Sequence, residues 1–461
     1  MVCASPLLLL LLLSGYHSLV ARAGAGHGGQ SYRVLSLNPK AVCFEPNAIP
    51  SSSRGTTVPL NHRHGPCSPV PSEKKPTDEE LLRRDQLRAD RIQRKFSKKA
   101  TGADELQQSM VTVPTKLGSS LNTLEYVISV GIGSPAVTQT MTIDTGSDVS
   151  WVQCKPCPNP PCHAQTGSLF DPTASTTYSP FSCSAAACTQ LKEQGNGCNS
   201  NAQCQYIVRY GDGSSTNGTY SSDILKLSSS DNVKSFQFGC SHAESGFDDQ
   251  TDGLMGLGGG AQSLVSQTEA TYGKSFSYCL PPTQGSSGFL TLGATSGGSS
   301  KFVTTRMLRS SQAPTFYGAL LQDIAVGGKQ LGLPSSVFSG GSVVDSGTII
   351  TRLSPTAYSA LSSAFKDGMK QYPPAQPRSL LDTCFDFTGH DQVSIPTVAL
   401  VFSGGAVIDL DANGIMFSNC LAFAATGNDG STGIIGNVQQ RSFEVLYDVG
   451  KSVLGFRSGA C

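Results

Sequence analysis

Two short stretches hold residue types that can do chemistry: TIDTGS at 142–147 and VVDSGT at 343–348. Each ends an apolar run on an aspartate, Asp144 or Asp345, followed by a hydroxyl residue, a glycine and a second hydroxyl residue. Carboxylates brought within about 3 Å of each other cannot both ionise cheaply, so they share a proton and titrate as a unit. The ionised member can then take a proton from a water that attacks a carbonyl, while the protonated member donates to the carbonyl oxygen. Such hydrolysis needs no covalent enzyme intermediate, and neither a metal nor a cofactor is expected.

A lone Asp-Ser/Thr-Gly is weak, and context makes the case. Asp252-Gly-Leu-Met-Gly-Leu257 follows the first aspartate and Gly433-Ile-Ile-Gly-Asn437 the second; each holds two apolar residues followed by glycine. Two lobes of similar plan are implied, each presenting one loop carboxylate at the end of a buried strand. Other catalytic classes lack their residues: there is no HExxH and no G-x-S-x-G. The histidines after residue 112, His163, His242 and His390, stand near no obvious nucleophile.

The elements that must position the two aspartates read as strands. Fifty glycines, 26 prolines and 38% hydrophobic content favour short strands and turns, so the expected class is all-β dominated with few short helices. Alternating runs at 125–131, 137–143, 205–209, 224–227, 236–239, 288–292, 341–344, 398–402 and 442–448 suit strands. The clearest helix within this body begins at Ser354-Pro355, with serine at the cap position and proline in the first turn.

Charge divides the chain. Residues 1–112 carry 15 Lys/Arg against 9 Asp/Glu, and the remaining 18 and 24 follow, so a neutral protein is a basic leader joined to an acidic body. Leu7–Leu13 and Ala21-Arg22-Ala23 read as an export signal over 1–23, too short to span a bilayer, so no membrane anchor is expected. A basic helix is expected at about 77–99 within a pro-segment at 24–112. Thr77 and Glu80 make a capping box, and Leu81, Leu82, Asp85, Arg88 and Ile92 form a narrow stripe. Such a helix could cover an acidic surface of its own chain, contact nucleic acid, or stay solvated; the first is favoured.

Fifteen cysteines fit an oxidising compartment, the secretory pathway with the extracellular wall space or the vacuole as destination. Twelve lie after residue 112, and six bridges are the simplest account. Seven fall within 154–204, so at least one pairs outside that segment. Cys154-x-x-Cys157 could instead be half a zinc site or a redox motif, but no Cys/His cluster follows at the right spacing. Asn217-Gly-Thr219 is the sole N-glycosylation sequon.

Together these residues resemble the pepsin-like aspartic proteases, within them the plant nepenthesin-like branch. The resemblance covers 113–461: DTGSD, DSGT, Trp151, YGDGS at 210–214, GLMGLG and IIGN occur in order, and LNHRHGPCSP at 60–69 adds to it in the leader. It implies the bilobal pepsin-like fold with a central cleft, lobes at about 113–300 and 301–461, and Asp144 and Asp345 as catalytic pair. Thr145 and Ser346 would brace the two loops, Ser147 and Thr348 would bond the outer carboxylate oxygens, and Gly146 and Gly347 would permit close approach. Tyr210, with Gly211 and Gly213, would tip a hairpin flap over the cleft, supported by Trp151, and Cys384 and Cys420 would form a bridge.

The implied activity is a secreted aspartic endopeptidase made as a zymogen, acting in acid on polypeptides as a monomer, with its own pro-segment as partner. The alternatives are a protein of this fold that binds or inhibits glycan-degrading enzymes, or nucleic-acid binding by the basic leader.

Overall fold

The computed structural model describes residues 30–37, 55–70, 76–97 and 126–461, with 43, 48, 50 and 51, apart from 158–160, 212, 248–249, 284 and 295–301. The export signal expected at 1–23 and a maturation site expected around 99–113 lie outside the described residues.

Three pieces of the leader dock on the body. Strand β1 (Tyr32–Ser36) adds antiparallel to the edge strand Gln392–Pro396. Strand β2 (Thr56–His62) lies inside a fifteen-stranded sheet, between Ser287–Leu292 and β3 (Tyr126–Ile132), with Leu60 opposite both Gly288 and Ile128. Alternate burial along β2 follows from its threading, Val58 and Leu60 going inward. Helix α1 (Asp78–Ser97) starts at the capping box: the Glu80 carboxylate accepts from the Thr77 N–H at 2.9 Å, and the Thr77 hydroxyl accepts from the Glu80 N–H at 3.3 Å. Seven of its residues are buried, Arg84, Asp85 and Arg88 among them, so it is not a solvated helix.

The body repeats one plan twice. In the first half β4 (Val137–Asp144) runs parallel to Gly253–Gly256, pairing Asp144 with Gly256; that strand also runs antiparallel to β5 (Trp151–Gln153), pairing Leu254 with Trp151. In the second half Ser342–Val344 runs parallel to Gly433–Ile435, which pairs Ile434 with Arg352 on the antiparallel strand Thr351–Leu353. The two apolar-apolar-glycine features are thus the partner strands of the two aspartate strands. Trp151 and Arg352, each seven residues beyond its aspartate, hold corresponding places.

Ser275–Cys279 pairs with both Ser287–Leu292 and Phe443–Asp448 and links the halves through the large sheet. One core cluster runs from Met141 and Ile143 through Phe276, Tyr278 and Tyr447 to Val344 and Ile435. The body's longest helix spans Pro355–Asp367; Ser354 sits at its cap position, but its buried hydroxyl makes no capping bond.

Seven disulfides join described residues. Cys43–Cys67 lies within the leader; Cys154–Cys240, Cys157–Cys162, Cys183–Cys198, Cys188–Cys204, Cys279–Cys461 and Cys384–Cys420 lie within the body. Cys154 and Cys157 are therefore neither half a zinc site nor a redox pair, and Cys154 is the member of its segment that pairs outside it. Asn217 stands mid-strand in Ser215–Lys226, half-buried between neighbours Ile207 and Ala243.

Candidate active site

Asp144 and Asp345 end corresponding strands from the two halves, and both are fully buried where the strand ends meet. The loops are locked to each other: the Ser346 N–H donates to the Thr145 hydroxyl at 2.9 Å, and the Thr145 N–H donates to the Ser346 hydroxyl at 3.1 Å. Each aspartate also accepts from the N–H two residues on, Gly146 at 2.9 Å and Gly347 at 3.3 Å. From behind, the Gln440 side-chain amide donates to the Asp345 carbonyl, and the Asn437 amide to the Ser346 carbonyl.

The loops differ at their second hydroxyl. Thr348 Oγ1 donates to Asp345 Oδ2 at 2.6 Å. The equivalent expectation for Ser147 is not met: its buried hydroxyl has no hydrogen-bond partner, and Asp144 takes its bonds from Gly146 and from the leader instead.

That leader contact is Arg88. Its Nη2 donates to Asp144 Oδ1 at 2.6 Å and to Asp345 Oδ1 at 2.9 Å, and its Nε donates to Asp345 Oδ2 at 2.8 Å. Glycine is needed here: a Cβ at Gly146 would stand 2.5 Å from Arg88 Nη2, and one at Gly347 2.3 Å from its guanidinium carbon. Burial opposes the charge on Arg88, but the two carboxylates outweigh it and hold the guanidinium well above its ordinary pKa. Burial alone would likewise raise Asp345, yet Arg88, Thr348 and the Gly347 N–H outweigh it and keep that carboxyl below the ordinary range.

One turn before Arg88, Asp85 accepts from the Ile349 N–H at 2.5 Å, the Ile350 N–H at 3.1 Å and Arg352 Nη2 at 2.9 Å. Asp85 and Arg352 are both fully buried. Burial pushes Asp85 above the ordinary carboxylate range against the pull of Arg352 and the two N–H groups. Leu81 and Leu82 pack beside them against Ile349, Ile350, Leu381 and the Cys384–Cys420 bridge.

A hairpin of Cys204–Arg209 and Ser215–Lys226 covers the first-half side. Its tip is closed by the Tyr210 N–H donating to the Ser214 carbonyl at 2.8 Å, and Gly213 there takes a φ of 94°. Trp151 Nε1 donates to the Tyr210 hydroxyl at 2.7 Å, and Phe247 packs on both rings. The tip rests on the leader helix, where a Cβ at Gly211 would lie 2.9 Å from the Arg88 Cα.

Asp148 closes this side; Thr315 Oγ1 donates to it at 2.6 Å and the Gly260 N–H at 2.8 Å, yet burial still raises its pKa. The sequence motifs do not single out Asp148, Arg352, Asp85 or Arg88 as site residues. For the last two the signal was present as charged residues inside an otherwise apolar stripe.

The body matches family models described as xylanase inhibitor N-terminal, over residues 126–294, and xylanase inhibitor C-terminal, over 316–458. An aspartyl protease family protein of Arabidopsis thaliana is 41% identical, with 94% of this chain and 93% of that protein covered. Aspartyl protease AED1 of the same plant is 38% identical, covering 93% and 91%, and aspartic proteinase nepenthesin-2 of Nepenthes gracilis is 34% identical, covering 93% and 98%. Among solved structures, soybean basic 7S globulin shares the fold at 19% identity, with a TM-score of 0.59 over 74% of this chain and 92% of that one. The chain belongs to the pepsin-like aspartic proteases, in the plant nepenthesin-like branch, and is an aspartic-type endopeptidase.

Proposed function

We propose that the protein is a secreted endopeptidase made as a zymogen, in which Asp144 and Asp345 share a proton and activate a water against the scissile peptide bond. The observation that carries this is one nitrogen, Arg88 Nη2, bonded to a carboxylate of each half. Two acids that close act as a coupled pair, as is standard for aspartic proteases. A polypeptide substrate would lie extended along the cleft, the Tyr210 hairpin closing over it on Trp151 and excluding water.

The leader is the built-in inhibitor. Arg88 holds the place of the reacting atoms, α1 fills the cleft, and β1 and β2 fasten its flank. Acid weakens the central contact: the Asp345 carboxyl is lowered while docked, so its contribution is present at higher pH and is lost as pH falls through that lowered pKa. Asp85 acts with the opposite sign. Its raised pKa makes its contribution strongest in acid and loses it as pH rises, so it restrains release.

Seven disulfides among the described residues support passage through the secretory pathway to the wall space or vacuole. A glycan at Asn217 would have to attach to a half-buried strand residue. A second reading, binding to glycan-degrading enzymes, draws on the xylanase-inhibitor description of the matched models. The test is cleavage of a denatured protein at acidic pH, with and without pepstatin, by the matured wild type and by Asp144→Asn. Pepstatin-sensitive activity absent from the variant is expected, and activity that survives the substitution refutes the dyad.

A further inference from the structure

Once the leader departs, the second half of the cleft keeps a charged group that the body does not neutralise. Arg352 is fully buried beneath α1, its Nη1 donates to the Ile350 carbonyl at 2.6 Å, its Nη2 serves Asp85, and its Nε has no hydrogen-bond partner. Among the described residues Asp85 is its only acidic partner, and it belongs to the leader. The Ile349 and Ile350 N–H groups aim at the same carboxylate from one side. Removing α1 therefore uncovers a guanidinium and two convergent N–H donors, four to seven residues along the chain from Asp345. A buried cation that loses its partner is costly, so the site favours a replacement anion. Two backbone donors and a planar guanidinium on one carboxylate form a built acceptor site rather than a chance surface pair.

The rim has a matching chemistry. Leu81 and Leu82 cover apolar surface from Ile349, Ile350 and Leu381 beside the charge. We infer that Arg352 and the Ile349 and Ile350 N–H groups form a substrate subsite for an acidic side chain, which Asp85 occupies in the precursor. This rests on the protease reading above, in which the leader leaves and a peptide takes its place. The preferred substrate then carries Asp or Glu a few residues from the scissile bond, with an aliphatic residue beside it.

The test uses enzyme matured from the full-length precursor and pairs of peptides that differ only by Asp or Asn, scanned through each position flanking one cleavage site. The pH is held at about 4, near the ordinary carboxylate range, because a carboxyl whose pKa this site raises, as it raises that of Asp85, contributes most in acid and less as pH rises. One position is expected to give an Asp-to-Asn ratio of kcat/KM of roughly 10 to 100, the scale of hydrogen bonds to charged groups. Arg352→Met should bring that ratio to about one, and Arg352→Lys should restore part of it. Cleavage with ratios near one at every position overturns the subsite while leaving the protease reading intact, and the wild type alone decides this if the Arg352 variants do not fold. A preference that persists in Arg352→Met removes Arg352 from the assignment. Failure to cleave any peptide overturns the protease reading and the subsite with it.

Discussion

Trp151 and Arg352 stand at the same place in the two halves, each seven residues past its aspartate and opposite the middle of a short apolar strand. The fold is the same around them, but the chemistry is not. Trp151 turns to its own half and holds the Tyr210 hydroxyl, so it supports the hairpin that covers the first half. Arg352 turns to the leader and holds Asp85, so the second half carries the anchor. Repetition of a backbone plan fixes where the two carboxylates meet, and at one corresponding position the two halves differ in partner, the Tyr210 hairpin in the first and the leader in the second.

The largest effect expected is equal loss from either half: Asp144→Asn and Asp345→Asn should each reduce peptide cleavage by at least about 10²–10⁴-fold, measured as kcat on the matured enzyme. Unequal loss would break the symmetry of the pair. Next is Arg88→Ala in the precursor. It removes a cation that two buried carboxylates share, at about 3–5 kcal/mol, and should give conversion at neutral pH as fast as in acid.

Asp85→Asn should come third, because it touches only the second half. It leaves Arg352 without an acid and removes the group that resists release in acid, so conversion should speed up and depend more steeply on falling pH than in the wild type. A shallower dependence would reverse the sign assigned to Asp85. The smallest change is Trp151→Phe, which keeps the packing on Phe247 and removes one N–H donor. About 1 kcal/mol is at stake, a several-fold drop in kcat/KM, and crossing it with Tyr210→Phe should give non-additive losses.

The pairing of Asp144 with Asp345 was legible because its signals are local and occur twice, each a strand, an acid and a glycine turn. Each has a partner strand marked by two apolar residues before glycine. The roles of Asp85 and Arg88 were not legible as site chemistry, since charged residues on a basic helix serve equally on a solvated face. Their meaning depends on groups far along the chain, Asp144 56 residues away and Asp345 and Ile349 more than 250. Arg352 was hidden for a related reason: its strand, Thr351–Leu353, carries no alternating run in the sequence, and a lone charge gives no sign of what lies opposite it. The Ser147 hydroxyl went the other way, a motif position whose expected bond is absent while Arg88 is docked. Six bridges in the body followed from parity, whereas their connectivity depended on which strands became neighbours, as Cys154 with Cys240 illustrates.

The separation of those bridges has its own consequence. The leader's disulfide closes on itself, and none of the bridges among the described residues crosses to the body. On the zymogen proposal, a single backbone cut after α1 would leave two pieces with no disulfide between their described residues, and no reductant would be required for them to part. The leader would from then on behave as a dissociating ligand: dilution would promote its loss, and excess free leader would restore the block.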